Sequence, residues 1–210
     1  MNGVQDKSEQ RSKRTSTAVR HQDLHDRLLA AAEQAITTDA LATLKARTLA
    51  EAVGCSVGAI YGVFADLDAL ILAVNGRTLD AIGEALDQAG GDSPAERLVR
   101  LADAYLDYAV AHRPRWTALF RHRLPEGQAV PTAYAIRQAA AFSHIDRPLA
   151  AMRPAMADAD RGLLARTLFS AVHGMVAFGL DEKIATMPLP VLRAQIRLVV
   201  EALAIGLDQA

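Results

Sequence analysis

Residues Leu49–Val63, LAEAVGCSVGAIYGV, restrict the folds open to this chain more than any other stretch. They read as two short helices joined by a tight turn, a helix-turn-helix. Helices that cross at about 90–120° need a small residue at their contact, and Ala50 supplies it. The turn calls for a left-handed backbone, which Gly54 adopts without steric penalty. Ile60 then falls on the buried side of the second helix, against Leu49 and Val53, with Cys55 and Val63 in support. Ser56 is placed to cap that helix. Ser56, Val57, Gly58, Ala59, Tyr61 and Gly62 are left outward, where they can face a DNA groove.

The rest of the chain also reads as helix. Of 210 residues, 51% are hydrophobic but only 5% aromatic, and Ala and Leu dominate, which favours an all-α fold. Periodicity predicts a first helix over Gln22–Thr37 and a second over Lys45–Val53, with Lys45 and Arg47 in its first turn as candidate phosphate partners. The third, Val57–Phe64, has few long polar side chains. That limits bidentate base readout and leaves apolar contact with thymine methyl groups. Asp66 is a cap for a fourth helix through Leu86. Gly90–Pro94 is a break, after which Ser93 caps a helix from Pro94 to Ala111. A short helix over Trp116–Arg121 and a loop over Leu124–Pro131 follow. The next helix runs to Ala151 with Pro148 as a candidate break. Helices over Asp160–Asp181 and Pro190–Gly206 complete the chain.

Charge and reactive residues exclude more than they suggest. The net charge is −1, so bulk charge gives no support for nucleic-acid binding. Residues 1–20 form a basic, flexible tail: Lys7, Arg11, Lys13, Arg14 and Arg20 outnumber Asp6 and Glu9. Such a tail either lies along phosphates or merely solubilises the terminus. Cys55 is the single cysteine, which rules out an internal disulfide and fits a reducing, cytoplasmic setting. No signal peptide and no apolar run of about 18 residues is evident, so no membrane partner is expected. His21 and His25 stand four apart with no third ligand; His112, His122, His144 and His173 show no metal-ligand spacing. No metal and no cofactor are expected. Without a phosphate loop, a nucleophile elbow or a Cys/His pair in context, and with Asp158/Asp160 and Asp181/Glu182 at helix ends, the chain does not read as an enzyme.

The run GCSVGAIYGVFADLDALILAV resembles the DNA-binding signature of the tetracycline-repressor (TetR) family, roughly Gly-Val-Ser-x-Gly-x-Ile/Leu-Tyr-x-His-Phe-x-x-Lys-x-x-Leu. Gly54, Ser56, Gly58, Ile60, Tyr61, Phe64 and Leu70 match; Val63 replaces the usual His and Leu67 the usual Lys. Leu168–Leu180 is similar to the Trp-x-x-x-His-Gly (WHG) class of C-terminal domain, with His173 and Gly174 matching and Phe169 in place of Trp. Ala104–Phe120 resembles that class too.

The resemblance implies a three-helix reader over 21–68 and a helical effector-binding and dimerisation domain over 69–210. It implies a regulator, a repressor released by a small-molecule effector from a pseudo-palindromic operator in double-stranded DNA. Phosphate contact by Tyr61 and signal transmission through the fourth helix come with it. The effector would meet Tyr105, Tyr108, Trp116, Phe120, Phe142, Met152, Phe169, His173 and Phe178, although aromatic and Met residues at this spacing also build plain cores. The last two helices are too apolar to be solvated all round, and a two-fold pairing would bury the excess through Leu164, Leu168, Ala171, Val172, Met175, Val199 and Leu203. The alternative is a helical ligand-binding or adaptor protein that keeps the fold without sequence-specific DNA binding.

Overall fold

Two compact units divide the chain in a computed structural model: Met1–Asn75 with Thr117–Glu126, and Gly76–Trp116 with Gly127–Ala210. The structure describes residues 3–181 and 187–209, with side chains over 18–181 and 187–207. Among the described residues every regular element is helical: α1 Gly3–Asp39, a 3₁₀ turn Leu41–Thr43, α2 Ala46–Val53, α3 Val57–Val63, α4 Leu67–Asp87, α5 Pro94–Ala111, α6 Arg113–Arg121, α7 Thr132–Met152, α8 Asp158–Gly179 and α9 Leu189–Gln209.

In the first unit one apolar stripe of α1, made by Leu28, Ala32 and Ile36, meets Leu49, Ala50 and Val53 of α2, Ile60 of α3 and Leu70, Ile71 and Val74 of α4. Ala118 completes this core, and Cys55, Val63 and Leu67 are half-buried against it. The sequence puts a boundary at 68/69; the first unit runs further because the first turns of α4 face this core. The 117–126 segment joins it through Ala118 and through His122, whose Nε2 lies 2.8 Å from Asp68 Oδ1.

The second unit packs α5 against α7, α8 and α9, α7 against α8, and α8 against α9. Leu101 and Leu106 of α5, Leu149 of α7, Val176 of α8 and Leu192, Ile196 and Val200 of α9 are buried there. A Cβ at Gly179 would stand 2.7 Å from Leu192 Cδ1, so a larger residue there would force the buried Leu192 side chain to move.

Several boundaries differ from the sequence reading, among them the start of α6, which lies at Arg113 rather than Trp116. α1 begins at Gly3 rather than near Gln22, because nothing between Val4 and Asp39 is Gly or Pro and the residues are good helix formers. The side chains of Lys7, Arg11, Lys13 and Arg14 lie outside the described residues, as does Glu182. Lys45 stands at the N-cap of α2, in extended backbone, and gives no side-chain cap. Pro148 lies inside α7 without ending it. Its ring removes a single backbone donor, and the residue is buried against its neighbours. By length and composition, α8 is the one described helix that could by itself reach across a bilayer. Its buried positions, Ala165, Leu168, Val172, Val176 and Gly179, are spaced as the stripe of a packed core helix.

Candidate functional site

The turn between α2 and α3 is built as the residue types require. Gly54 has φ 73° and ψ 42°, the left-handed region. The Cys55 amide donates to the Ala50 carbonyl at 2.9 Å and the Gly54 amide to Glu51 at 3.3 Å, the paired closure of a Schellman turn. Ser56 Oγ accepts from the Ala59 amide at 3.1 Å and so caps α3. Asp66 Oδ1 does the same for α4, accepting from Ala69 at 2.6 Å.

α2 and α3 have eight and seven residues, too short to persist alone. α1 holds both at their C-terminal ends, where carbonyls lack intrahelical donors. Arg27 Nη2 donates to the Val53 carbonyl, and His21 Nε2 donates to the Gly62 carbonyl at 3.2 Å. The His25 ring stacks on Phe64 with centroids 4.9 Å apart. Sequence reasoning weighed His21 and His25 only as metal ligands and passed over these positioning roles. The available signal was the His21–His25 spacing on the face of α1 that also carries Leu28.

Val57, Gly58, Tyr61 and Gly62, at spacings of one, four and five, form one exposed face of α3. Val57 and Tyr61 are 38% and 50% exposed, high for apolar bodies. Ser56 is exposed at the entry, whereas Ala59 is half-buried and Ile60 fully buried. Lys45 and Arg47 are exposed on the flank, Arg47 with its Nε 3.5 Å from Glu51 Oε1 one turn on. Such a pair in open water is weak, so the guanidinium can be recruited by a phosphate. Val63 and Leu67, at the positions of the family's His and Lys, lie half-buried against the first core.

In the second unit, five of the nine aromatic and sulfur positions singled out from sequence come together. Tyr105, Trp116, Phe142, Phe169 and His173 form a continuous cluster with ring centroids 5.3–6.4 Å apart. A polar relay runs through it. Trp116 Nε1 can only donate, and reaches Tyr105 Oη at 2.8 Å. The Tyr105 hydroxyl then passes its proton toward His173 Nδ1 at 2.7 Å, which must accept and leaves the ring hydrogen on Nε2. Burial favours the neutral forms: it pushes the Tyr105 hydroxyl up, against the opposing effect of the Trp116 donor, and pulls His173 below its ordinary value.

The other four positions are placed differently. Tyr108 tilts over His112, with centroids 4.7 Å apart. Met152 ends α7, ten residues or about 15 Å along the axis from Phe142. Phe178 is half-exposed, and Phe120 belongs to the first unit.

The interface residues expected on α8 and α9 divide by rotation. Leu168 and Val172 are buried inside the protomer. Leu164, Ala171, Met175 and Val199 are half-buried, and Leu203 is exposed. The outermost apolar residues are instead Leu163 and Phe178 on α8 and Val191, Leu198 and Ile205 on α9, the last three spaced seven apart. The sequence could not select this face, because both helices are apolar over most of their circumference.

Residues 98–203 match the family model described as "Tetracyclin repressor-like, C-terminal domain". None of the curated proteins compared with the sequence matches it. Among solved structures, a protein of unknown function from Rhodococcus sp. RHA1 is similar, at 23% identity and a TM-score of 0.66 over 89% of this chain and 94% of that one. A TetR transcriptional regulator from Rhodococcus sp. RHA1 is 17% identical, with a TM-score of 0.61 over 88% and 97% of the two chains. A TetR-family transcriptional regulator from Streptomyces coelicolor is 18% identical, with a TM-score of 0.61 over 87% and 81%. At these identities the likeness is one of fold.

Proposed function

The chain belongs to the tetracycline-repressor-like family of DNA-binding transcriptional regulators, and from that premise we propose that it is a cytoplasmic homodimeric repressor released from a pseudo-palindromic operator by a small-molecule effector. The observation that carries this reading is the exposed face of α3: Val57, Gly58, Tyr61 and Gly62 on a helix whose opposite side is sealed by Ile60. A small helix held rigidly at both ends and bare on one side is what a major groove accepts. Lys45, Arg47 and the Tyr61 hydroxyl are the nearest groups for phosphates.

Pairing of α8 and α9 about a two-fold axis would cover Leu163, Phe178, Val191, Leu198 and Ile205 and present two readers. The effector would enter at the Tyr105–Trp116–Phe142–Phe169–His173 cluster. Its preference for one arrangement of α4, whose residues belong to both units, is the thermodynamic requirement for release.

Selection of duplexes from a random pool by the full chain tests the reading. Recovery of a pseudo-palindrome, bound with an affinity that falls steeply as salt rises, is the expected result. Tyr61→Ala should then lower affinity about tenfold, equivalent to about 1.4 kcal/mol, while leaving sedimentation unchanged. The replacement of the family's usual His and Lys by Val63 and Leu67, both half-buried, favours the second reading, a ligand-binding protein without sequence-specific DNA contact. Recovery of no preferred duplex would support it.

A further inference from the structure

We propose that α3 reads its operator through thymine 5-methyl groups brought against a bare helix surface, rather than through hydrogen-bonding side chains. This rests on the reading of α3 as the DNA-facing helix and names the base feature it selects.

The first support is chemical. Bidentate base recognition uses Arg, Lys, Asn, Gln, Asp or Glu, and VGAIYGV contains none of them. The Ser56 oxygen already accepts from the Ala59 amide, and Tyr61 has a single hydroxyl at the end of a long ring. Lys45 and Arg47 belong to the start of α2, which suits phosphates, not base edges. What α3 does present outward is the Val57 isopropyl group and the Tyr61 ring.

The second support is the placement of glycine. Glycine is the least favourable residue in a helix interior short of proline. Two of the seven residues of α3 are glycine, and neither has a positive φ. A Cβ on Gly62 would meet nothing within 4 Å, and one on Gly58 only Ser56 Oγ at 3.8 Å. Neither backbone conformation nor packing within the chain calls for glycine at these positions. Both lie on the exposed face, one turn apart, so their bareness acts on a body outside the chain. The absence of two Cβ atoms lets base edges approach the helix backbone closely. At that range a thymine methyl packs against Val57, whose branched side chain is held in few rotamers.

The test uses the full-length protein and the tightest duplex recovered by selection, followed by fluorescence polarisation. Each thymine of a half-site is replaced in turn by deoxyuridine, which removes the methyl and nothing else. One or two positions per half-site should lose about fourfold in affinity each, the value of one buried methyl group. Replacement of guanines by 7-deazaguanine, which removes the N7 acceptor, should change affinity less than twofold. Tolerance of every deoxyuridine together with loss at 7-deazaguanine would overturn the proposal while leaving the regulator reading intact. Recovery of no preferred duplex would instead mean that the regulator reading had failed. Gly62→Ala is the companion variant: its melting temperature should rise, from the better helix propensity, while its DNA affinity falls at least fivefold. An unchanged or tighter affinity in a stabilised Gly62→Ala protein would refute close approach.

Discussion

The two units solve the problem of holding helices together in opposite ways. The first sets two short helices, α2 and α3, against the 37-residue α1 around an almost wholly apolar core and secures them at their ends: Gly54, Ser56 and Asp66 close the turns, and His21 and Arg27 of α1 take carbonyls in the last turns of α3 and α2. The second assembles helices of 18 to 22 residues, which tolerate frayed ends, and fixes them through polar pairs in the middle of their length. Asp103 of α5 takes three bonds from Arg197 and one from Arg193, residues 94 and 90 positions further along. Tyr105 reaches His173 across 68 positions. A helix of two turns is defined by its caps, because they are a large share of its hydrogen bonds. A helix of five or six turns is defined by its rotation and register, which caps do not set.

The comparison can be broken most severely at Ile60. Its side chain is fully buried in the first core, and Ile60→Ala should destabilise that unit by about 3 kcal/mol. The single tryptophan, Trp116, belongs to the second unit, so its fluorescence follows that unit alone. In urea, circular dichroism should reveal an early transition that Trp116 emission does not share. Coincident shifts of both signals would mean that the units do not unfold separately. Asp103→Ala acts in the converse sense. It leaves Arg193 and Arg197 without their common acceptor, and because both remain partly solvated the loss should be about 2 kcal/mol, less than for a sealed pair. The Trp116 transition should move to lower urea and Tyr61-dependent DNA affinity should hardly change.

The smallest expected effect is pH dependence. Burial pulls His173 below its ordinary value of 6.5, and His144 likewise, where Arg147 and Arg97 add to the effect and Asp87 opposes it. The unfolded chain therefore binds more protons in this range, and stability falls as pH drops below 6.5 toward the folded-state values. Above 6.5 this contribution is complete. Thermal melts of the second unit should show a slope between neutral and mildly acid pH that His173→Gln reduces. An unaltered slope would place the titration elsewhere.

Legibility from sequence follows the same division. The turn at Gly54, the caps Ser56, Ser93 and Asp66, the buried side of Ile60 and the outward Val57, Gly58 and Tyr61 were all readable, because each depends on residues within a few positions of itself. The roles of His21, His25 and Arg27 were not, since their partners Gly62, Phe64 and Val53 stand 41, 39 and 26 positions away. The aromatic group was half legible. Residue type nominated nine positions, but only the tertiary placement of α5, α6, α7 and α8 gathered Tyr105, Trp116, Phe142, Phe169 and His173.

From its amino acids alone, the chain was committed to helices throughout, to a glycine-bent pair near one end and to a bare outer ridge on the second of that pair, since helix propensity, turn conformation and short-range periodicity are properties of neighbouring residues. Tertiary structure decided which way α8 and α9 turn. A helix apolar over most of its circumference has no preferred inward side until something rotates it. Here the contact of Gly179 with Leu192 and the hold of Asp103 on Arg193 and Arg197 do so, sending Leu168 and Val172 into the core and leaving Leu198 and Ile205 outside.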